Sequence, residues 1–170
     1  ATSISPWIVT IDALAPFRLS GPTRLAGDPK ILEYLEPVTD DVFDVRCSVL
    51  MSSEKMRNEN MQPMQLAESS LNNLTWSFSQ MLTHHTSTGC PMNSGDLIGS
   101  GTISGKTKDS RGCLLELTWR GTEPIKLPDG TERKFLQDGD ELTMSAWCES
   151  DTATAIGFGS CSGIIIPASD

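Results

Sequence analysis

Only one stretch of this 170-residue chain carries apolar residues at helical spacing, and that scarcity limits the possible folds more than any other feature. From Ser69 or Ser70, either of which can serve as N-cap, to His84, the residues Leu71, Leu74, Phe78, Met81 and Leu82 recur at i, i+3, i+7, i+10 and i+11. This stripe predicts one packed helix over about 69–84, with Gly89 and Pro91 following where it should have ended. Elsewhere the period is two. Val45, Cys47, Val49 and Met51 alternate with Asp44, Arg46, Ser48 and Leu50, as in a half-buried strand, whereas the Met- and Asn-rich stretch Ser52 to Gln65 has no period and predicts an irregular excursion. Further strands are expected at Asp96 to Ile103, Gly112 to Arg120, around Leu142 to Cys148, and near 155–158 and 163–166, with Pro128-Asp129-Gly130 as a hairpin turn. Strands and helices do not alternate as a parallel βαβ sheet requires. The expected class is mainly β, mixed, of one domain's length and without repeat or linker.

Charge and cysteine content exclude several functions. With 13 Lys+Arg against 22 Asp+Glu the net charge is −9, so the chain repels phosphate backbones and anionic lipid, and neither nucleic acid nor membrane is an expected partner. No apolar run approaches the roughly 20 residues of a spanning helix. Cys47, Cys90, Cys113, Cys148 and Cys161 are odd in number and contain no C-x-x-C pair, which suits free thiols in a reducing compartment. The start, Ala1-Thr2-Ser3-Ile4-Ser5-Pro6-Trp7, has neither an initiator Met nor a signal layout, and it reads as chain cut in mid-sequence. The sequon Asn73-Leu74-Thr75 would matter only in a secreted protein.

Several motifs resolve into ordinary structure. Gly99-Ser100-Gly101-Thr102-Ile103-Ser104-Gly105 places its third Gly too late for a dinucleotide fingerprint and opens no helix. It fits a Gly-rich strand end, bulged against a neighbour or bringing backbone N–H groups and the Ser100, Thr102 and Ser104 hydroxyls close to a ligand oxygen. Gly159-Ser160-Cys161-Ser162-Gly163 has the outline of a nucleophile elbow, but no His follows, so Cys161 is expected to be a buried small hydrophobe. His84 and His85 diverge by about 100° on a helix and cannot easily share one metal ion. Asp138-Gly139-Asp140-Glu141 lacks the spacing of a calcium loop and is expected to be a solvated turn. Glu116 is the most informative carboxylate. Within Leu114-Leu115-Glu116-Leu117-Thr118-Trp119, read as a strand, it is either a glutamate on a solvated sheet face or a charge needing a cationic or imidazole partner, and the second kind commonly orients a catalytic His.

Taken in order, Ser5-Pro6-Trp7-Ile8-Val9, Asp12-Ala13-Leu14, Leu82-Thr83-His84-His85, Gly95-Asp96-Leu97-Ile98-Gly99-Ser100-Gly101-Thr102, Leu115-Glu116-Leu117-Thr118-Trp119 and Phe135-Leu136-Gln137-Asp138-Gly139-Asp140 resemble the fumarylacetoacetate hydrolase family, and within it the fumarylacetoacetase type, nearly end to end. The resemblance implies a β-roll, with residues 1–170 as the C-terminal part of the catalytic domain of a longer, cytoplasmic, homodimeric enzyme. It also implies a diketone acid substrate, 4-fumarylacetoacetate, cleaved by water to fumarate and acetoacetate in the last step of tyrosine and phenylalanine breakdown. A divalent ion, Mg2+ or Ca2+, would bind the diketone, and a Glu-oriented His would activate the water. Glu116 matches the orienting glutamate, Thr102 the substrate-contacting threonine, and Thr2 a threonine of the metal site. The remaining metal carboxylates, the catalytic His and the Arg, Tyr and Gln groups that hold substrate would lie upstream of Ala1, and Asp40 and Asp41 do not sit in the metal motif. Two other readings stay open: a family member acting on another acylpyruvate or diketone, and a non-catalytic β-roll module in which Glu116 is structural.

Overall fold

In the computed structural model, which describes residues 2–21, 26–28, 30–36 and 42–168, the alternating residues near position 47 lie in an inner strand of the largest sheet. The helices in chain order are α1 (Ile11–Leu14), α2 (Glu54–Asn58), α3 (Phe78–Thr86) and α4 (Leu114–Leu117). The strands are β1 (Arg18–Leu19), β2 (Val42–Phe43), β3 (Arg46–Ser52), β4 (Met64–Ser70), β5 (Ile125–Lys126), β6 (Glu132–Arg133), β7 (Glu141–Ser150) and β8 (Ala153–Ile164). The fold is mainly β and mixed. Among the described residues the main sheet is antiparallel in the order β4-β3-β7-β8, and β1-β2 and β5-β6 form two short ribbons. Pro128-Asp129-Gly130 is the turn joining β5 to β6, as its residue types predict.

The register turns the alternation into one continuous apolar row. Cys47 lies opposite Ala146, Val49 opposite Met144 and Met51 opposite Leu142. On the far side of β7, Cys161 lies opposite Met144. At one end of this row Leu14, Phe17, Phe43, Val45 and Cys148 form a buried cluster, against which Cys47 and Ala146 pack. At the other end Met51, Met56, Leu66, Leu117 and Leu127 form a second, joined by Val49 and Leu142. All five cysteines are free. Burial raises the pKa of Cys148, and also that of Cys47.

Five local expectations need correcting. The stripe from Leu71 to Leu82 spans two elements: Ser69 and Ser70 close β4, Ser70 caps a single 3₁₀ turn (Leu71–Asn73), and α3 begins only at Phe78. Ser77 sets that start through a capping box, accepting from the Gln80 N–H while the Gln80 side chain accepts from the Ser77 N–H. Ser52 to Gln65 is not irregular, because Ser53 accepts from the Met56 N–H at 3.0 Å and starts α2, too short to show a period. Residues 96–103 form no strand; Gly101 at φ +76° breaks extended geometry there. The two final strands are one, β8, kinked at Gly159 (φ +69°), where the register shifts opposite Ala146. The acidic turn near Asp138 is not solvated throughout, since Asp140 is fully buried and binds Arg133 through Nε and Nη2 at 2.8 to 3.1 Å. Asp40 and Asp41 lie outside the described residues.

Candidate functional site

Between the two buried clusters a cavity of about 380 Å³ opens over the apolar row. Cys47, Val49, Met144, Ala146 and Cys161 contribute to its floor. Ser3, Ile4 and Ser5 form one wall, and Gly101, Thr102, Ile103 and Gly112 form a second. The first wall is held by close packing. Trp7 lies so near β8 that a Cβ on Gly159 would land on its ring, which only glycine in a left-handed bulge allows. Cys161 is half-buried on this floor rather than buried in a core, and Gly159-Ser160-Cys161-Ser162-Gly163 lies within β8, with no helix after it among the described residues.

The second wall carries Thr102, whose exposed hydroxyl makes no hydrogen bond with the described residues. Gly112 fits behind it. A Cβ there would sit 2.5 Å from the Ile103 carbonyl oxygen and 2.7 Å from the Thr102 methyl. This contact lets the Gly112 N–H donate to Ser104 Oγ at 3.1 Å. Ser104 in turn donates to Glu116 Oε2 at 2.6 Å, and the Cys113 thiol donates to the same oxygen at 3.2 Å. Thr102 and Glu116 are therefore brought together through Gly112 and Ser104, with the Glu116 carboxylate linked by way of Ser104 to Gly112 of the cavity wall.

Glu116 is not on a strand. Leu-Leu-Glu-Leu is rich in helix formers, and the buried Leu117 and Thr118 with the half-buried Leu114 follow helical spacing, which gives α4 in place of the expected strand. Trp119 and Arg120 then turn the chain at φ +48° and +59°. Arg111 steadies this turn, with its guanidinium 5.8 Å from the Trp119 ring centroid and Nη1 donating to the Glu116 carbonyl at 3.2 Å. The partly buried carboxylate meets a hydroxyl and a thiol rather than a cation or imidazole. The Ser104 hydrogen bond, then that of Cys113, lowers its pKa, with a smaller push from the Arg111 charge.

The two histidines lie at the end of α3, engaged elsewhere: His84 Nδ1 is 3.1 Å from the Tyr34 hydroxyl and His85 Nε2 is 3.1 Å from Cys90 Sγ. Thr2 is exposed beside Ser3 of the cavity wall. Among the described residues no group of three or more His, Cys, Asp or Glu gathers, so this donor set does not fit a divalent ion. Sequence reasoning picked out the Ser104 hydroxyl for a ligand oxygen, but its acceptor is Glu116. It missed Gly112 and Cys113, whose only signal was their place just before Glu116.

Comparison with known proteins covers nearly the whole chain. The family model described as fumarylacetoacetate (FAA) hydrolase C-terminal matches residues 1–165. Fumarylacetoacetase of Dictyostelium discoideum is 44% identical over 169 residues, covering 98% of this chain and 38% of that protein. The Bos taurus fumarylacetoacetase is 44% identical over 167 residues and the Homo sapiens one 43% over 170, each again covering 98% of this chain and 38% of the relative. The chain thus spans well under half the length of these relatives.

Proposed function

The chain belongs to the fumarylacetoacetate hydrolase family, and from that premise we propose that it is the C-terminal part of a fumarylacetoacetase, using water to split 4-fumarylacetoacetate into fumarate and acetoacetate. Water adds to the ketone carbonyl of the fumaryl group, the bond from that carbon to the CH2 of the acetoacetate unit breaks, and its electron pair takes a proton on the departing carbon, which becomes the methyl of acetoacetate. In this proposal Glu116 supplies fixed negative charge. It orients an imidazole from outside the described residues and balances the imidazolium formed as water loses its proton. Thr102 offers a hydroxyl to the substrate from the cavity wall.

The Glu116 carboxylate, favoured in its ionised form chiefly by two side-chain donors and making no ion pair among the described residues, is the observation that supports this reading most directly. A carboxylate already neutralised by a cation could not compensate a new positive charge. The Mg2+ or Ca2+ that the resemblance implies belongs, in this proposal, to carboxylates elsewhere in the protein, with Thr2 at the edge of their site. Among the described residues no helix is long and apolar enough to cross a membrane. A cytoplasmic homodimer completes the proposal.

Glu116→Gln in the full-length protein tests the assignment. The amide is isosteric, so thermal melting should be nearly unchanged while kcat falls roughly 10²-fold or more. A variant that melts normally and turns over within a few-fold of the parent would remove Glu116 from the reaction.

A further inference from the structure

Ser104 has one O–H, and its surroundings decide where that proton goes. Its oxygen already accepts the Gly112 N–H at 3.1 Å, which turns the hydroxyl proton toward Glu116 Oε2, 2.6 Å away. Gly112 reaches this position only because it has no Cβ to strike the Ile103 carbonyl. The Cys113 thiol donates to the same oxygen. Both side-chain donors thus fall on Oε2, leaving Oε1 without a side-chain donor among the described residues, while the Gly112 N–H acts more weakly on the same carboxylate.

Resting on the proposed function, we infer that Ser104 is a positioning residue for the hydrolysis, with Cys113 its weaker partner: together they clamp Oε2 so that Oε1 faces the base. The clamp does two things. It fixes the rotation of the carboxylate, and therefore the angle at which an imidazole N–H is received. It also makes the carboxylate a weaker base, so the pair of Glu116 and its base takes up its first proton at lower pH, whichever member receives it. Arg111, the other charged group acting on this carboxylate, has Nη1 committed to the backbone carbonyl.

The clamp makes predictions of opposite sign for the two residues. In the full-length protein, Ser104→Ala removes the stronger donor, so kcat should fall roughly tenfold, the loss expected for one hydrogen bond to a charged group, and the acid limb of the kcat/KM profile should move to higher pH. Cys113→Ser replaces a weak donor by a stronger one, so the acid limb should move to lower pH. Thermal melting of each variant accompanies the kinetics. If Ser104→Ala does not fold, Cys113→Ala carries the upward arm of the test. A folded Ser104→Ala variant with an unmoved acid limb and kcat within about twofold of the parent, or two variants that shift the limb in the same direction, would overturn the inference. If that happens while Glu116→Gln still abolishes turnover, the clamp alone is refuted. An active Glu116→Gln refutes the catalytic reading beneath it.

Discussion

Replacing Gly112 by alanine adds a single methyl group, and the structure says where it would go. The φ of Gly112 is not in the left-handed region, so alanine meets no backbone penalty and any effect must come from space. The new Cβ would lie 2.5 Å from the Ile103 carbonyl oxygen and 2.7 Å from the Thr102 methyl, distances that neither backbone nor a β-branched side chain tolerates. Relief requires residues 101–103 to move away from residues 111–113. Overpacking of this kind costs about 1–3 kcal/mol. In a protein longer than about 250 residues that corresponds to a fall in Tm of less than about 4 °C per kcal/mol. The same movement displaces Thr102 into the cavity and stretches the Gly112 N–H bond to Ser104, loosening the grip on Glu116. Differential scanning calorimetry and steady-state kinetics on the full-length protein should therefore show a lower Tm, a higher KM and a lower kcat together. An alanine variant with the parental Tm and parental constants would mean that the two segments are not packed as described, and the route from Thr102 to Glu116 would fail with it.

Two further outcomes rest on other parts of the structure. Thr102→Val keeps the shape of the wall and deletes its hydroxyl, so it should weaken substrate binding by about 1–2 kcal/mol, roughly a tenfold rise in KM, with kcat changed less; an unchanged KM would exclude Thr102 from the substrate wall. Burial of Asp129 works against ionisation, but hydrogen bonds from Ser53 and Thr131 and the nearby Lys55 charge outweigh it and hold the carboxyl at about 2, below its ordinary 3.8. Because the folded value is the depressed one, this stabilisation, at most about 2 kcal/mol, is complete above the unfolded value and is lost as pH falls from about 5 toward 2. Urea melts at pH 7 and pH 3 should show the parent losing more stability than Asp129→Asn, and equal losses would refute the assignment.

The main sheet was legible in the sequence because its alternation is read against burial. Val45, Cys47, Val49 and Met51, and Leu142, Met144, Ala146 and Cys148, could share a buried face only in the register they adopt, since a slip of one residue would turn Arg46 and Ser48 inward. The helix was legible only as a stripe. Periodicity records which residues face one way but not where hydrogen bonding begins, and that boundary is fixed by pairing of Ser69 and Ser70 with Cys47 and Arg46 and by the Ser77 cap. Family resemblance located Glu116 and Thr102 in the chain but carried no information about which groups hold them.

The alternation of Cys113, Leu115, Leu117 and Trp119 with Leu114, Glu116 and Thr118 predicts a strand at Glu116. Its neighbours satisfy a period of two and a helical period equally well, and a run of four to six apolar residues cannot separate them. Tertiary contact decides the matter: Leu117 enters the second buried cluster and Leu114 packs against it, while Leu115 and Trp119 are left exposed. The difference has a chemical consequence. On a strand, the side chains at 113 and 116 would point to opposite faces. On the turn beginning α4 they meet, and the Cys113 thiol can reach the Glu116 carboxylate. Ser104 completes the arrangement from a segment eight residues before Gly112, through a contact that depends on Gly112 having no side chain. The polar clamp on Glu116 therefore exists because the local structure departs from the alternating pattern.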